Sequence, residues 1–351
     1  MHSLDLMFLG RQPLNLALLQ TVRRLGEFQG QEALFVQRSP QILETLSQSS
    51  IIESTESSNR MEGVTAKRER IQEIVMRQAQ PRTRPEQEIA GYRDVLNEIY
   101  RLGGRHPFDL DTVLRFHQML FRYGSGTGGR WKSVDNEITE TLPDGRRVTR
   151  FRAVPATETP AAMAELHRRF ESMWAAQTTD RLLLIPCYVL DFLCIHPFLD
   201  GNGRTARLLT AVLLSRAGYQ VGRFISMERI VEQTKTGYYD ALAASSKNWH
   251  QRGHTLLPWW EYFLGVLLLR VYEEFSQRMD SVRSPKGAKR DLIVGVIEQF
   301  PAEFQYADIE RACPGISKPT IHRALAQLKT EGRVRCKVGG RDAVWQKISV
   351  P

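Results

Sequence analysis

Residues 196–207 read HPFLDGNGRTAR, and almost every side chain in that run has a use in phosphate chemistry. Gly201, Asn202 and Gly203 make a loop whose backbone N–H groups can face an anion without side-chain obstruction. A helix starting near Arg204 directs its positive dipole end at the same place. Arg204 and Arg207 stand three apart on that helix, on neighbouring positions of one face, where their guanidinium forks can hold further phosphate oxygens. Asp200 offers a hard oxygen to Mg2+, an ion that keeps waters and takes one or two carboxylates beside phosphates. His196, at the end of an apolar helical run, has an ordinary pKa near ~6.5 and can remove a proton from a hydroxyl at neutral pH. The set suits phosphoryl or nucleotidyl transfer, in which positioning and charge neutralisation do most of the work. There is no GKS/T and no HExxH, and the one GxGxxG match, GSGTGG at 124–129, follows a helical pattern where a dinucleotide site needs a strand. A helix–turn–helix corner with capping glycines is the plainer alternative, but it does not account for two Arg, Asp, Asn and His in one run.

The elements that position this run are read from periodicity and punctuation. Apolar residues at helical spacing predict a helical layer over 13–47 with a break near Gly26–Gly30. A short helix is expected to end at Gly63, followed by a charged, solvated connector over 66–86. Helices are expected over 90–101 and 110–123. A β-hairpin follows around Pro143-Asp144-Gly145, then helices over 160–176, 180–194, 204–216, 227–249 with interruptions, and 258–279. The polar stretch at 280–290 reads as a linker. Beyond it, helices at 292–300, 307–313 and 317–332 and two strands at 334–338 and 343–348 follow the order of a winged helix-turn-helix. The expected organisation is a helical segment at 1–88, a catalytic domain at 89–279, the linker at 280–290, and the winged helix-turn-helix at 291–351.

At this point the run is similar, at every defining position, to the Fic family motif HPFx[D/E]GNGRxxR, and the likeness extends over roughly residues 14–278. The resemblance implies a mostly α-helical core with a β-hairpin flap over the active site. It implies AMP transfer from ATP with Mg2+ to a Tyr, Thr or Ser hydroxyl of a target protein, including the chain itself by auto-AMPylation. By the same resemblance His196 is the base, Asp200 the metal ligand, and Gly201, Asn202 and Gly203 the anion hole. Arg204 then meets the β-phosphate and Arg207 the γ-phosphate, with Phe198 as a core anchor. In the similar Doc-like kinases a Lys stands at the position of Gly203, so the Gly here favours AMP transfer over phosphorylation. Tyr238 and Tyr239 would border the adenine, and the flap residues Val148, Thr149, Arg150 and Phe151 would hold the target by strand addition.

Ser58, Glu62 and Gly63 resemble the family's inhibitory pattern [S/T]xxxE[G/N]. A Glu62 carboxylate paired with Arg207 would occupy the place of the γ-phosphate, so the free enzyme is expected to be slow. In some relatives the same Glu orients a water that removes AMP, so de-AMPylation is a further expectation.

The 351 residues carry 48 Lys+Arg against 39 Asp+Glu, a net charge of +9. Thirteen Lys/Arg against seven Asp/Glu fall from Ser281 onward, so the last 71 residues hold +6 of that excess. Such a concentration suits a polyanion, although a solvated basic face needs no partner. Lys318, Thr320, His322 and Arg323 near the start of the third helix would reach base edges of double-stranded DNA, and Lys337 and Arg341 would touch phosphates from the wing. A protein-docking or dimerisation role is the other use of such a module, and a homodimer is compatible with the sequence. The competing reading of the whole is a nucleotide-sensing, DNA-binding transcriptional regulator with a Fic-like core. Four cysteines without CxxC spacing read as reduced, and the lack of a long apolar run leads to the expectation of a cytoplasmic protein with no membrane contact.

Overall fold

A computed structural model describes residues 2–38, 40–124, 128–141, 144–283, 288–314, 316–338, 340 and 343–348. The chain begins with α1 (Leu6–Leu9), α2 (Leu16–Arg38), α3 (Pro40–Met61), α4 (Arg68–Val75), α5 (Arg84–Leu102) and α6 (Leu110–Leu120). The flap strands β1 (Glu137–Thr141) and β2 (Arg147–Arg152) come next. Then follow α7 (Thr159–Ala176), α8 (Arg181–Ile195), α9 (Asn202–Arg216), α10 (Met227–Gln233) and α11 (Lys235–Ser246). The helix α12 (Leu257–Trp260) continues through a π-helical stretch, Glu261–Leu268, into α13 (Leu269–Arg283). The C-terminal module is α14 (Ala288–Gln299), β3 (Glu303–Gln305), α15 (Tyr306–Ala312), α16 (Lys318–Thr330), β4 (Val334–Val338) and β5 (Val344–Lys347).

The fold is mostly α, as its apolar periodicity implies. At the centre lies α8, whose residues from Leu182 to Ile195 are buried with the single exception of Leu183, which is partly buried. Burying each large apolar side chain is worth ~1.5–3 kcal/mol, so this run is held in place by its own composition. Against it pack α7 and α9. One continuous apolar cluster runs from Leu4 to Met279, and a separate one from Ile293 to Val334 forms the interior of the C-terminal module.

Three local expectations are corrected. No break occurs at Gly26–Gly30: α2 runs through both glycines and ends at Arg38, and α3 begins at Pro40, a residue suited to a first helical turn because it has no N–H to satisfy. The helix ending before Gly63 is long rather than short, and Gly63 takes the left-handed conformation (φ +76) that closes it. The expected connector at 66–86 contains α4, which buries Ile71, Ile74 and Val75 against Ile89 and Ala90.

The flap is the expected hairpin. Its strands pair antiparallel from Glu137 with Arg152 to Thr141 with Arg147, with an irregularity at Ile138/Thr139. Pro143, in the expected turn, lies outside the described residues. In the C-terminal module β4 and β5 match the expected strands, and β3 was not expected. It adds an edge to give the order β3-β5-β4. The module rests on α3: the Gln299 amide donates to Glu53 Oε1 at 2.8 Å, and Gln72 donates to the Gln299 carbonyl. Among the described residues no helix is long and apolar enough to cross a membrane.

Candidate active site

The run from His196 to Arg207 is the corner between α8 and α9, and the corner is made by two left-handed residues. His196 ends α8 at φ 52, ψ 60, and Gly201 precedes α9 at φ 80. Gly201 is needed there for space as well, since a Cβ would come within 3.0 Å of the Phe121 ring. A non-glycine residue held at positive φ carries strain of order ~1–3 kcal/mol, tolerated where the surroundings fix it. Those surroundings are visible at His196, whose N–H donates to Phe192 O at 2.9 Å and whose Nδ1–H donates to Leu193 O at 3.3 Å.

That second bond sets the tautomer: with Nδ1 protonated, Nε2 carries the lone pair a base needs. Burial pulls the His196 pKa down from 6.5 to about 4. The nearby Lys132 ammonium adds to this, and the Leu193 carbonyl, Glu62 and Asp200 oppose it. The ring is therefore neutral across the neutral pH range.

The loop is clamped by Asn202, which accepts from Phe198 N at 2.9 Å and donates to Phe198 O at 2.7 Å. Its side chain is thus committed to the loop, and the Gly201 N–H donates to Asp200 Oδ1 at 2.6 Å, which leaves the N–H groups of Asn202 and Gly203 at the helix start to face an anion. Phe198 is buried, stacked at 3.6 Å on the His117 ring and at 5.3 Å on Trp131.

Residues outside the motif hold this corner together. Gly129 N–H donates to His117 Nδ1, so His117 Nε2–H donates to the carbonyl of Asp200, at 3.0 Å. The sequence signal for His117 was its place four residues after Val113 on the buried face of α6. Lys132 is buried; its Nζ donates to Ile195 O at 3.0 Å and to Asn136 Oδ1 at 2.8 Å, and the Asn136 amide donates to Phe198 O at 2.8 Å. Desolvation lowers the Lys132 pKa to about 8. These partners lie some sixty residues away in sequence, as the 63 positions between Lys132 and Ile195 illustrate, and spacing alone does not find them.

Both motif arginines are engaged by carboxylates. Arg207 donates from Nη2 to Glu62 Oε1 at 2.7 Å and to Ser58 O at 2.9 Å, and from Nε to Ser58 Oγ at 2.8 Å. Burial pushes the Glu62 carboxyl upward, but the Arg207 guanidinium, then Arg204 and His196, outweigh it and hold its pKa below the usual value. A Cβ on Gly203 would collide with Glu62 Oε1 and come within 3.3 Å of Arg207 Nη1, so the Glu62 carboxylate lies directly over the first turn of α9. Arg204 is fully buried, paired with Glu88 of α5, and its Nη2 lies 3.5 Å from Asp200 Oδ1.

Asp200 opens onto a cleft of about 530 Å³ lined by Arg84, Glu88, Trp131 and Leu199 among others. Among the described residues no three His, Cys, Asp or Glu side chains gather to hold a metal by themselves. A single open carboxylate beside an anion site does fit a Mg2+ that arrives with phosphates.

Of the residues expected beside the adenine, Tyr238 is buried against Trp259 and Tyr262, while the partly buried Tyr239 meets the flap: Arg150 donates to its carbonyl and lies over its ring. On the flap, Thr149 donates to Glu137, Val148 stands opposite Glu140, and Phe151 stacks on His250 at 5.2 Å. In the C-terminal module Lys318 pairs with Glu310, Thr320 with the Ser317 hydroxyl, and Lys337 with Glu303. His322 stacks on Tyr306, and Arg323 is exposed. Arg341 lies outside the described residues.

The Fic/DOC family model matches residues 107–214. A segment is 28% identical over 156 residues to the protein adenylyltransferase Fic of Drosophila sechellia, covering 40% of this chain and 30% of that protein. A 58-residue stretch is 40% identical to a ribonucleoside-diphosphate reductase small chain of Ostreid herpesvirus 1, but it covers 16% of this chain and 10% of that one. The chain thus spans less than a third of the length of these curated relatives. A solved Fic family protein from Desulfovibrio desulfuricans G20 shares the fold over 97% of this chain and 98% of its own, with a TM-score of 0.60 and 20% identity. Motif, family match and fold agree that residues 107–214 form a Fic/DOC domain.

Proposed function

We propose that this protein moves AMP from ATP to a Tyr, Thr or Ser hydroxyl of a protein and is held off in its resting state by Glu62. The observation that supports transfer most directly is the neutral His196, with Nδ1–H spent on Leu193 O and Nε2 left as a base. In the reaction Nε2 takes the hydroxyl proton, the hydroxyl oxygen bonds to the α-phosphorus, and the bond to the β-phosphate bridging oxygen breaks, releasing pyrophosphate. The backbone N–H groups of Asn202 and Gly203 hold the phosphate oxygens at the helix start, and that of Gly201 joins them once Asp200 Oδ1 gives it up. Arg207 takes the terminal phosphate once Glu62 withdraws, and Arg204 supports the β-phosphate side. Asp200 would hold a Mg2+, which when bound neutralises charge on the phosphates. The target segment pairs along β2 at Val148–Phe151, and Tyr239 lies where a base would stack.

The test is incubation with ATP labelled at the α-phosphate, comparing the native chain, Glu62→Gly and His196→Ala. Strong labelling only in Glu62→Gly is expected. Equal labelling in all three would reject transfer, and mass spectrometry of the labelled chain would locate the acceptor.

A second reading, duplex DNA binding through the C-terminal module, is favoured by the order of α15, α16 and the β4–β5 hairpin with His322 and Arg323 exposed on α16. Salt-dependent retention of a duplex that weakens in Arg323→Ala is expected, and retention indifferent to salt and to that change would sink it.

A further inference from the structure

The two arginines of the motif are held by two carboxylates of different character. Glu62 sits just past the end of α3 with its side chain 31% exposed. Glu88 sits inside α5, 8% exposed, on a helix anchored by the fully buried Tyr92, Val95, Leu96 and Ile99. Its partner Arg204 is 1% exposed, with Nε unpaired, Asn59 Oδ1 at 3.5 Å and the Phe121 ring 5.3 Å beneath. A guanidinium that deep needs a counter-charge, because removing one partner of a buried pair leaves an uncompensated charge out of reach of water.

Two carboxylates are within reach of Arg204. Glu88 makes the contact, and Asp200 stands off at 3.5 Å, its Oδ1 held by the Gly201 N–H at 2.6 Å and its side chain 61% exposed to the cleft. Arg84, on the preceding turn of α5, bonds Glu88 at 2.9 Å and lies 4.0 Å from Asp200, so the four charges alternate around a ring. If Glu88 lost its charge, the buried Arg204 would draw Asp200 inward, and the carboxylate would no longer face the cleft.

We propose that Glu88 is a positioning residue: by satisfying Arg204 it keeps the Asp200 carboxylate turned outward, where a Mg2+–triphosphate can reach it. This rests on the nucleotide reading of the site given above. It assigns Glu88 the opposite effect from Glu62, although each pairs with a motif arginine.

The test measures calorimetric binding of a non-hydrolysable ATP analogue with and without Mg2+, in the Glu62→Gly background that frees Arg207. Adding Glu88→Gln should reduce the Mg2+-dependent gain in affinity about tenfold, while Glu88→Asp, which keeps the charge, recovers part of it. The double change Glu88→Gln with Arg204→Met removes both the counter-charge and the residue that captures Asp200. It also leaves no unpaired buried charge, so it folds where Glu88→Gln alone fails, and in it the Mg2+-dependent gain should return. An unchanged gain in Glu88→Gln, tighter binding in it, or no return in the double change would each overturn the proposal. A Glu62→Gly protein that binds the analogue but transfers no AMP would sink the transfer reading alone; one that does not bind the analogue would sink both.

Discussion

Arg207 and Glu62 form a 2.7 Å ion pair across 145 residues of sequence, and Ser58, one turn earlier on α3, takes the remaining edge of the same guanidinium through its hydroxyl and its carbonyl. The Nε and Nη2 donors of the arginine that would receive the terminal phosphate are thus taken by one helix end. α3 is pinned elsewhere, through Ser54 on Ser226, Ser50 on the Gly222 carbonyl and Arg60 on Glu232, so it is held in place up to its last turn. Glu62→Gly is expected to raise AMP transfer at least about tenfold, since a charge-assisted bond of this kind is worth ~1.5–3 kcal/mol. Ser58→Ala, which removes one neutral acceptor, should raise it several-fold less. Initial rates of label transfer check the order, and Ser58→Ala exceeding Glu62→Gly would contradict it.

Gly203 lies against the Glu62 carboxylate at the start of α9. Gly203→Ala would push the Glu62 carboxylate aside, yet its methyl would fill the space that a phosphate needs. The expected result is a loosened Glu62 without activation: weaker binding of an ATP analogue than in Glu62→Gly, and no gain in transfer. Activation by Gly203→Ala would show that the phosphate does not occupy this place.

The corner bearing His196 was legible in the sequence because its parts are contiguous, and the helices on either side announce themselves by apolar runs. The Glu62–Arg207 contact was legible only through resemblance, since nothing local in SSNRMEG predicts that Glu62 meets Arg207. Helix α4 was hidden because Arg68, Glu69, Arg70 and Glu73 dominate its composition while Ile71, Ile74 and Val75 do the packing. Gly26 and Gly30 read as breakers, yet a Cβ at either would meet only open space, and both are carried inside α2 by the rest of the helix. Glu88, His117 and Lys132 support the site from distant segments, and only tertiary structure brings such buried polar residues to their partners.

Lys132 supplies such a support. Lys132→Met would leave the buried Ile195 carbonyl without its donor and release Asn136 from its anchor. A buried group left unpaired costs ~1–3 kcal/mol, so thermal unfolding should begin several degrees lower. In the Glu62→Gly background transfer should fall further than stability explains, because Asn136 holds the carbonyls of His196 and Phe198. Lys132→Arg, which keeps a donor, should be milder in both measurements. Equal transfer in Lys132→Met and its parent would remove Lys132 from the support of the corner.

Acid should destabilise the protein well above the range of its carboxylates. Burial lowers His196, His117 and His254 from 6.5 to about 4. Between those values the unfolded chain binds a proton at each that the native state does not, so stability is full above ~6.5 and declines as pH falls, by up to ~1.4 kcal/mol per pH unit for each fully buried ring. Glu32 opposes this, because burial pushes its pKa up to about 7 and the native state then holds a proton the unfolded chain has lost. The net slope is therefore a difference, and a single change isolates one part of it. His117→Gln removes one histidine from the count, so its denaturant-derived stability, referred to its own value at pH 7.5, should fall less steeply between pH 6.5 and ~4 than that of the parent. Parallel curves for the two proteins would mean that His117 is not the neutral, buried donor to Asp200 that its hydrogen bonds describe.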